Sequence, residues 1–487
     1  MSLTERQPSR TGLVLAVLLA AQPLLDVWSY FMKISGHTAV TTGVRLGMLL
    51  AVCAFSLALA RRKAPTLVLW GIAGAFWLLH SLNCLRVGYA DPIGDAAEYL
   101  KLLQFPLWTA AFLTLFRREE DLADRVIAVL AVNLALILAV IGVSYLVGRP
   151  VYTYEYPERG LYIGILGWFG VANAQSALLC LVVPGAMLWA LGTEKLWLYA
   201  LVSLAGCGLL YFTGTRLAFY SGVLAAALFL VIVFLCRRPW LFALPPLAIL
   251  ALFLAFRGVS PMAQRQAVSG NSFAVYQEQI DALLGEDADF DPAADPLTPE
   301  IRDKLARVYT EVYGQRGVYG EFLLEDLLDR FGVDRVLQAM DYTHSASTLN
   351  DLRHRKLTAL SLVWEGEDLL THLVGVEYSK ATIGAHNYDP ENDFPALFYY
   401  YGWVGAALYG AFLLGLLGSC LAGFFRSFPR LLTPEVLVFA FCLVVGLGAA
   451  QVGGQVLRRP NVTVYLSLAG AQLMARCRVP RKGGPQP

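Results

Sequence analysis

The chain has 487 residues and a formal net charge of +1, with 57% hydrophobic residues and only 15% charged residues. Soluble proteins are about half apolar and about a quarter charged, so this composition excludes a soluble globular protein. Apolar runs such as "LVLAVLLAAQPLLDVWSYF" are long enough to cross a bilayer as helices, which takes about 20 residues. The sequence therefore predicts an all-α polytopic membrane protein.

In chain order, the hydropathy pattern predicts about twelve spans. They cover residues 12–32, 40–60, 65–85, 96–116, 125–147, 171–191, 195–213, 216–236, 239–256, 395–425, 434–456 and 460–475. Spans 1–9 fall within residues 1–256, a large extracytoplasmic loop within 257–394, spans 10–12 within 395–475, and a cytoplasmic tail within 476–487. Basic clusters such as Arg61-Arg62-Lys63 predict that both termini are cytoplasmic, because Lys and Arg are enriched on that side. Arg458-Arg459 is the exception to this pattern.

The predicted loop differs in composition from the rest of the chain. It carries 24 of the 37 acidic residues but only 12 of the 38 basic ones, a balance that disfavours nucleic acid as a partner. Thr298 and Pro299 are typical of a helix start, and apolar residues follow at helical spacing. We therefore expect a mostly helical loop between spans 9 and 10. The eight cysteines form no CxxC motif and no Cys/His cluster in the sequence, so no metal site is predicted.

Polar residues mark the start of the sixth predicted span, in "LYIGILGWFGVANAQSALL". Asn173, Gln175 and Ser176 can cap a helix or form interhelical hydrogen bonds. Alternatively, they contact a sugar or a lipid head group.

Arginines at two further places are candidates for anion binding. Arg216, in "FTGTRLAFYSG", lies where spans seven and eight meet with almost no loop. It either fixes the depth of its span or binds phosphate oxygens through its guanidinium fork. Arg353 and Arg355, in "NDLRHRKLTAL", form a cationic group in the acidic loop. They belong to a solvated, salt-bridged helix face or to a second phosphate-binding group.

The stretch "HNYDPENDFPALFYYYGWVG" combines titratable residues with the start of an apolar helix. Glu391 and Asp393 can cap that helix, because carboxylates are favoured at helix N-termini. Capping does not explain the His386-Asn387 pair. A histidine at this position can act as a general base near neutral pH.

Four local patterns together resemble the O-antigen ligase/polymerase superfamily of bacterial membrane glycosyltransferases. They are "GILGWFGVANAQSA", "GTRLAFYSG", the segment from Arg353/Arg355 to Gly375, and "HN…ENDF…YYGWVG" with its Gly402-x-x-Gly405. The resemblance also covers the order of the spans and the large loop before the tenth, and it implies a GT-C-like bundle.

The resemblance implies transfer of a glycan from undecaprenyl diphosphate to an acceptor outside the cytoplasmic membrane, without metal, cofactor or nucleotide sugar. Arg216 and one of Arg353/Arg355 would bind the diphosphate, and His386 would activate the acceptor hydroxyl. Asn173, Gln175 and Asn387 would contact the glycan or head group. The spacing of Glu391 and Asp393 from Gly402 resembles a subgroup with E-x-D-F at this position, so either carboxylate is an alternative base.

Three functions remain open at this point. The first is a ligase or polymerase in the bacterial cytoplasmic (inner) membrane that acts on a glycan, lipid or protein acceptor in cell-envelope polysaccharide biosynthesis. The second is a transporter or flippase of lipid-linked sugars, which should carry charged residues at mid-depth in several spans. The third is a scaffold whose loop recruits other envelope proteins. The unusual polar residues cluster at the predicted outer ends of the spans, which favours an enzyme.

Overall fold

The computed structural model describes residues 10–313, 324–426, 428, 432–453 and 456–477, apart from the side chains of Thr38 and Glu120. Residues 478–487, which make up most of the predicted cytoplasmic tail, lie outside the described residues. Within the described residues the chain is mostly helical, and its strands are limited to two short antiparallel hairpins.

Thirteen helices correspond to the apolar runs of the sequence. They are α1 (Arg10–Ala20), α2 (Gln22–Ile34), α3 (Thr38–Leu59), α4 (Ala64–Val87), α5 (Pro92–Arg118), α6 (Glu120–Leu146), α7 (Ala172–Gly192), α8 (Leu196–Phe212), α9 (Arg216–Leu235), α10 (Leu244–Ala255), α18 (Asp393–Arg426), α19 (Pro434–Val452) and α20 (Pro460–Arg476). The first hairpin, β1 (Tyr154–Tyr156) and β2 (Leu161–Ile163), lies between α6 and α7.

Nine helical segments of the described chain are long and apolar enough to cross a membrane, with α1 and α2 counted as one. Leu196–Phe212 and Trp240–Ala255 are apolar but shorter, and α20 has 17 residues. The first predicted span falls on α1 and α2, and each of the other eleven falls on one of these helices. The chain is therefore an all-α polytopic membrane protein, while the count of twelve crossings and the orientation of the chain stay predictions.

The helix α7 forms the centre of the bundle. It packs against α6, α8, α9, α19 and α20, and its side chains from Ala174 to Leu188 are all buried. This explains why its sequence is apolar on every side, since a helix enclosed by other helices has no face to keep polar.

The 257–394 segment has its own helices and its own apolar core. The helices are α11 (Pro261–Leu284), α12 (Pro299–Arg307), α13 (Leu324–Phe331), α14 (Val333–Ala339), α15 (Ala346–Leu349), α16 (Leu352–Glu365) and α17 (Leu369–Val374). The predicted cap is present, since Thr298 Oγ1 accepts a hydrogen bond from the backbone N–H of Ile301 at 3.2 Å. A second hairpin, β3 (Thr382–Ile383) and β4 (His386–Asn387), precedes α18.

Helix α16 lies between the two cores. Leu360 and Trp364 pack into the core of the bundle, whereas Ala359 and Val363 pack into the core of the 257–394 segment. The helix therefore joins the 257–394 segment to the bundle. We call the ends of the bundle helices that contact this segment the loop end.

Polar contacts also attach the segment to α4 and α5. They include Arg86 Nη2 to Asp368 Oδ2 at 2.7 Å, His80 Nδ1 to the Val374 carbonyl at 2.8 Å, and the Tyr378 N–H to Asp95 Oδ1 at 2.9 Å. The side chain of Glu377 accepts hydrogen bonds from the backbone N–H groups of Ala90 and Asp91.

A kink in α18 completes this junction. Gly402 has φ +64° inside the helix, and a Cβ at this position would lie 2.6 Å from the His372 carbonyl. Gly375, at the end of α17, has φ +96°, and its Cβ would lie 2.0 Å from the Tyr400 carbonyl. Only glycine combines positive φ with such close backbone approach at low cost, so this pair fixes how α17 meets α18.

Candidate active site

His386 lies in β4, where a carboxylate orients its ring. Its Nδ1 is 2.8 Å from Oδ2 of Asp326, which comes from α13. Tyr388 donates a hydrogen bond to the same oxygen at 2.8 Å. A carboxylate on one ring nitrogen fixes the tautomer and the orientation of an imidazole, as in catalytic histidines of other enzymes. No pattern in the sequence indicated Asp326, which is 60 residues from His386 in the chain.

Glu391 contacts the cationic residues of α16. Its carboxylate lies 3.0 Å from Arg353 Nε and 3.7 Å from Lys356 Nζ. Arg353 also donates to the backbone carbonyls of Val452 and Gly453 at the end of α19, both at 3.3 Å. The structure therefore brings together Glu391 and Arg353, two of the predicted site residues.

Asp393 occupies a different environment. Its side chain is fully buried, and Oδ2 accepts hydrogen bonds from the backbone N–H groups of Val456 at 2.6 Å and Leu457 at 2.8 Å. Its Oδ1 lies 3.4 Å from Nε of Arg458. Both oxygens are thus engaged in joining the start of α18 to the segment before α20.

Arg458 is the central cation of this buried group. Its Nη1 lies 2.7 Å from Asp389 and 4.0 Å from Glu98, and its Nη2 donates to the Pro390 carbonyl. Burial alone would lower the pKa of Arg458, but the surrounding carboxylates outweigh burial and raise the pKa well above its usual value. The neighbouring acids explain why a cation occurs here against the charge pattern of the other loops.

Arg353 and Arg355 have different surroundings. Arg355 is only 1% exposed, and its Nε donates to the Leu349 carbonyl at 2.5 Å. Its guanidinium lies over the ring of Tyr313 at 5.5 Å, inside the core of the 257–394 segment. Of the two candidates, Arg353 is therefore the one beside Glu391.

The charges of three arginines act on Tyr154 of β1. Arg265, from the first turns of α11, lies 4.6 Å from the centre of the Tyr154 ring. Burial raises the pKa of the Tyr154 phenol, and the charge of Arg265 opposes that rise. The charges of Arg353 and Arg216 oppose it as well. We call Arg216, Arg265 and Arg353 the arginine cluster.

Arg216 is exposed at the first position of α9. The preceding Thr215 caps the helix by accepting from the Ala218 N–H at 3.2 Å, and it donates to Ser176 at 2.7 Å. Among the described residues, Arg216 forms no hydrogen bond or ion pair. Its guanidinium fork is therefore available for a ligand.

Arg265 was not predicted as a site residue. The sequence does contain a signal, because Arg265 is the sole cation between Arg257 and Arg302. Clustered cations usually belong to a solvated helix face. An isolated cation in a long acidic stretch has no such neighbours, so it indicates a specific contact more strongly than a clustered cation does.

The predicted glycan-contact residues are separated. Gln175 is buried in the first turn of α7, and its Nε2 has no hydrogen-bond partner in the described structure. Asn173 is half-buried in the same turn. Asn387 is exposed in β4, where it accepts from the Asp389 N–H at 2.8 Å and donates to the Tyr378 hydroxyl at 3.3 Å.

One group of side chains in the described residues has the composition of a metal site. His80, Cys84 and Asp95 are buried, and their ligand atoms lie within 4.8 Å of one another. Histidine, cysteine and carboxylate are the ligand types of zinc. No metal site was predicted, because these residues lie on two helices and form no cluster in the sequence. Their hydrogen bonds to Val374 and Tyr378 already give them a role in holding the 257–394 segment.

These features define a polytopic α-helical membrane protein. At the loop end of its bundle it carries the arginine cluster and the carboxylates of Glu391 and Asp393, each paired with an arginine. The sequence profile of the family described as "O-antigen ligase like membrane protein" matches residues 10–479. The match covers nearly the whole chain, so the chain belongs to this family, and the predicted resemblance is confirmed. No curated protein and no solved structure matches the chain.

Membership in this family implies a glycosyltransferase-like enzyme that transfers glycans at a membrane in polysaccharide synthesis. It also implies a lipid-linked glycan and an acceptor as the two substrates.

Proposed function

We propose that the chain transfers a glycan from undecaprenyl diphosphate to an acceptor hydroxyl at the outer face of the cytoplasmic membrane. The observation that carries this proposal is the position of Arg265 over Tyr154, whose phenol also experiences the charges of Arg216 and Arg353. Guanidinium groups bind phosphate oxygens through two parallel hydrogen bonds. The diphosphate of the donor carries two negative charges and gains a third as it leaves. In this proposal the large loop lies outside the cytoplasmic membrane and both termini lie in the cytoplasm, as the sequence predicts.

In the proposed reaction, the acceptor oxygen attacks the anomeric carbon while the bond from that carbon to the diphosphate oxygen breaks. The hydroxyl proton passes to His386, and undecaprenyl diphosphate leaves with the bonding electrons. A single displacement of this kind inverts the anomeric centre. Cationic groups stabilise the charge that develops on the leaving diphosphate, so the chemistry requires neither a metal nor a nucleotide sugar.

The structure supports different roles for the three candidate bases. His386 is oriented by Asp326, which favours it as the general base. Glu391 lies against Arg353 and Lys356, which favours a role in positioning Arg353. Asp393 is buried among backbone N–H groups and Arg458, which favours a structural role.

The test is transfer by the purified full-length protein, supplied with an undecaprenyl-diphosphate oligosaccharide and envelope acceptors. Release of undecaprenyl diphosphate should be lost in Arg216→Ala and recovered poorly in Arg216→Lys, because lysine lacks the fork. His386→Ala should also abolish release. Arg302→Ala is the matched control, because this exposed arginine pairs with Asp334 away from the cluster. Full activity of both Arg216 variants would refute the proposal.

A transporter of lipid-linked sugars is the second candidate, and one observation favours it. Asp26 of α2 and Arg45 of α3 form an ion pair at 2.6 Å inside the bundle, and buried charges in membrane helices often mark a transport path. Movement of the lipid-linked sugar across a vesicle membrane, without release of undecaprenyl diphosphate for any acceptor, would favour this candidate over the enzyme.

A further inference from the structure

The buried group of His80, Cys84 and Asp95 lies where α4 meets α5, at the loop end of the bundle. His80 and Cys84 are four residues apart on α4 and so share one face of that helix, while Asp95 lies in the first turn of α5. One nitrogen, one sulfur and one carboxylate oxygen from the three side chains all lie within 4.8 Å of one another. None of these residues belongs to the proposed diphosphate site or acts as the proposed base.

The hydrogen bonds of His80 require a positive charge beside its Nε2. Its Nδ1 lies 2.8 Å from the Val374 carbonyl, which can only accept, so the ring proton is on Nδ1. The Nε2 of a neutral ring is then an acceptor as well, yet it lies 2.9 Å from Asp95 Oδ2. Two acceptors at this distance are stabilised by a cation between them, which is either a proton or a metal ion.

The thiol of Cys84 favours the metal ion. Its Sγ lies 3.4 Å from the same Nε2 of His80. A proton between His80 and Asp95 needs no third partner, whereas zinc binds nitrogen, sulfur and oxygen ligands together. With ordinary bond lengths, tetrahedral zinc holds nitrogen and sulfur about 3.6 Å apart and nitrogen and oxygen about 3.3 Å apart. The first spacing is nearly met, and the second would open by about 0.4 Å on binding.

The surrounding hydrogen bonds orient the three side chains as metal ligands are oriented. A histidine that binds a metal donates its other ring N–H to a carbonyl or carboxylate, and a carboxylate that binds a metal is itself hydrogen-bonded. The Val374 carbonyl accepts from His80 in this way. Asp95 Oδ2 accepts from the Tyr89 hydroxyl at 2.8 Å, and Oδ1 accepts from the Tyr378 N–H at 2.9 Å.

We propose that His80, Cys84 and Asp95 bind one Zn²⁺ ion that fastens the 257–394 segment to the bundle. Three protein ligands leave one tetrahedral position for water, and a cavity of about 10 Å³, close to the space that one water needs, borders Cys84. Val374 and Tyr378 belong to the segment and hydrogen-bond to two of the ligands, so metal binding stabilises their contacts. The site has a structural role and takes no part in the proposed glycan transfer.

The experiment measures zinc in the purified full-length protein, prepared without a metal-affinity tag and dialysed after exposure to Zn²⁺. Elemental mass spectrometry should find one zinc ion per chain. Replacement by Co²⁺ should give a thiolate-to-cobalt charge-transfer band in the near ultraviolet, because one ligand is a thiolate. Cys84→Ser should lose this band and raise the Kd for Zn²⁺ at least a hundredfold, more than the roughly tenfold to hundredfold effect of changing a residue that only orients a ligand.

Cys53→Ser is the matched control. Cys53 is 2% exposed on α3, where its thiol contacts the Leu107 carbonyl, so this variant should keep the cobalt band and the zinc affinity. Tyr89→Phe removes only the hydroxyl that donates to Asp95. It should keep the band and raise the Kd for Zn²⁺ about tenfold to a hundredfold, and it keeps the test valid if Cys84→Ser folds poorly.

Removal of zinc by a chelator tests the structural role. It should lower the unfolding temperature of the wild type and of Cys53→Ser, leave that of Cys84→Ser unchanged, and speed proteolysis within the 257–394 segment. A wild type without stoichiometric zinc and without a cobalt band would assign a proton to the place between His80 and Asp95 and overturn the site. A cobalt band that persists in Cys84→Ser would also overturn it. Because no glycan is transferred in these assays, their failure is distinct from failure of the proposed enzymatic function.

Discussion

At the scale of single residues, the arginine cluster shows that the role of an arginine depends on its position as well as on its charge. Arg265 has the same charge as the many other arginines of the chain, but it lies over Tyr154, on which the charges of Arg216 and Arg353 also act. Its role therefore depends on the packing of α11 against the β1–β2 hairpin.

Arg265→Ala should lower the rate of undecaprenyl diphosphate release roughly tenfold to a hundredfold, because one charge-assisted hydrogen bond to the diphosphate is lost. Arg265→Lys should recover part of the rate, since it keeps the charge but not the fork. The measurement is the transfer assay with Arg302→Ala as control. An unchanged rate in Arg265→Ala would remove Arg265 from the diphosphate site.

Asp393 and Glu391 should respond differently to substitution, although they are two residues apart. Asp393→Ala leaves Arg458 buried beside fewer carboxylates and should lower the free energy of unfolding by about 3–5 kcal/mol. Glu391→Gln removes a partly exposed ion pair and should cost less than about 1 kcal/mol, while it lowers transfer. Thermal unfolding in detergent checks both. A stable Asp393→Ala protein without transfer would assign Asp393 a chemical role.

The sequence predicted the candidate residues but did not distinguish Arg353 from Arg355. Residues two positions apart on a helix point in nearly opposite directions, so at most one of the pair could face the site. Which one does so depends on how α16 is rotated between the two cores, and this rotation is decided by tertiary packing. Asp326, the partner of His386, could not be predicted from the sequence either, because it comes from another helix of the 257–394 segment.

At the scale of secondary structure, the helices of the bundle were the easiest elements to predict. Their apolar runs are long, and in a membrane the backbone must satisfy its hydrogen bonds within each helix. The kink at Gly402 was harder, because the sequence motif marked the glycine without indicating what it contacts. The structure supplies the reason, which is the close approach of α17 to α18.

Gly402→Ala should therefore impair folding, because alanine is strained at φ +64° and its Cβ would collide with the backbone of α17. The expected result is a lower yield of folded protein in detergent and earlier thermal unfolding. Gly410→Ala is the control within the same helix, since nothing lies within 4 Å of a Cβ there. Equal unfolding of the two variants would contradict the role given to the kink.

At the scale of the whole molecule, the distribution of Lys and Arg among the loops predicts on which side of the membrane each loop lies. Twelve crossings would leave both termini on the cytoplasmic side and the acidic 257–394 segment on the other. Nine helical segments of the described residues meet the length and hydropathy of a span. The helices α8, α10 and α20 are shorter. Whether they cross the membrane decides on which side each segment lies.

Labelling with a membrane-impermeant maleimide on intact cells tests this topology. Seven of the eight native cysteines are buried and Cys236 is half-buried, so introduced cysteines should react above a low background. Ser347→Cys, exposed in the 257–394 segment, should react on intact cells. Arg61→Cys and Gln486→Cys should react only after the membrane is opened. Reaction of Gln486→Cys on intact cells would mean that an even number of helices crosses after the 257–394 segment, which contradicts twelve spans.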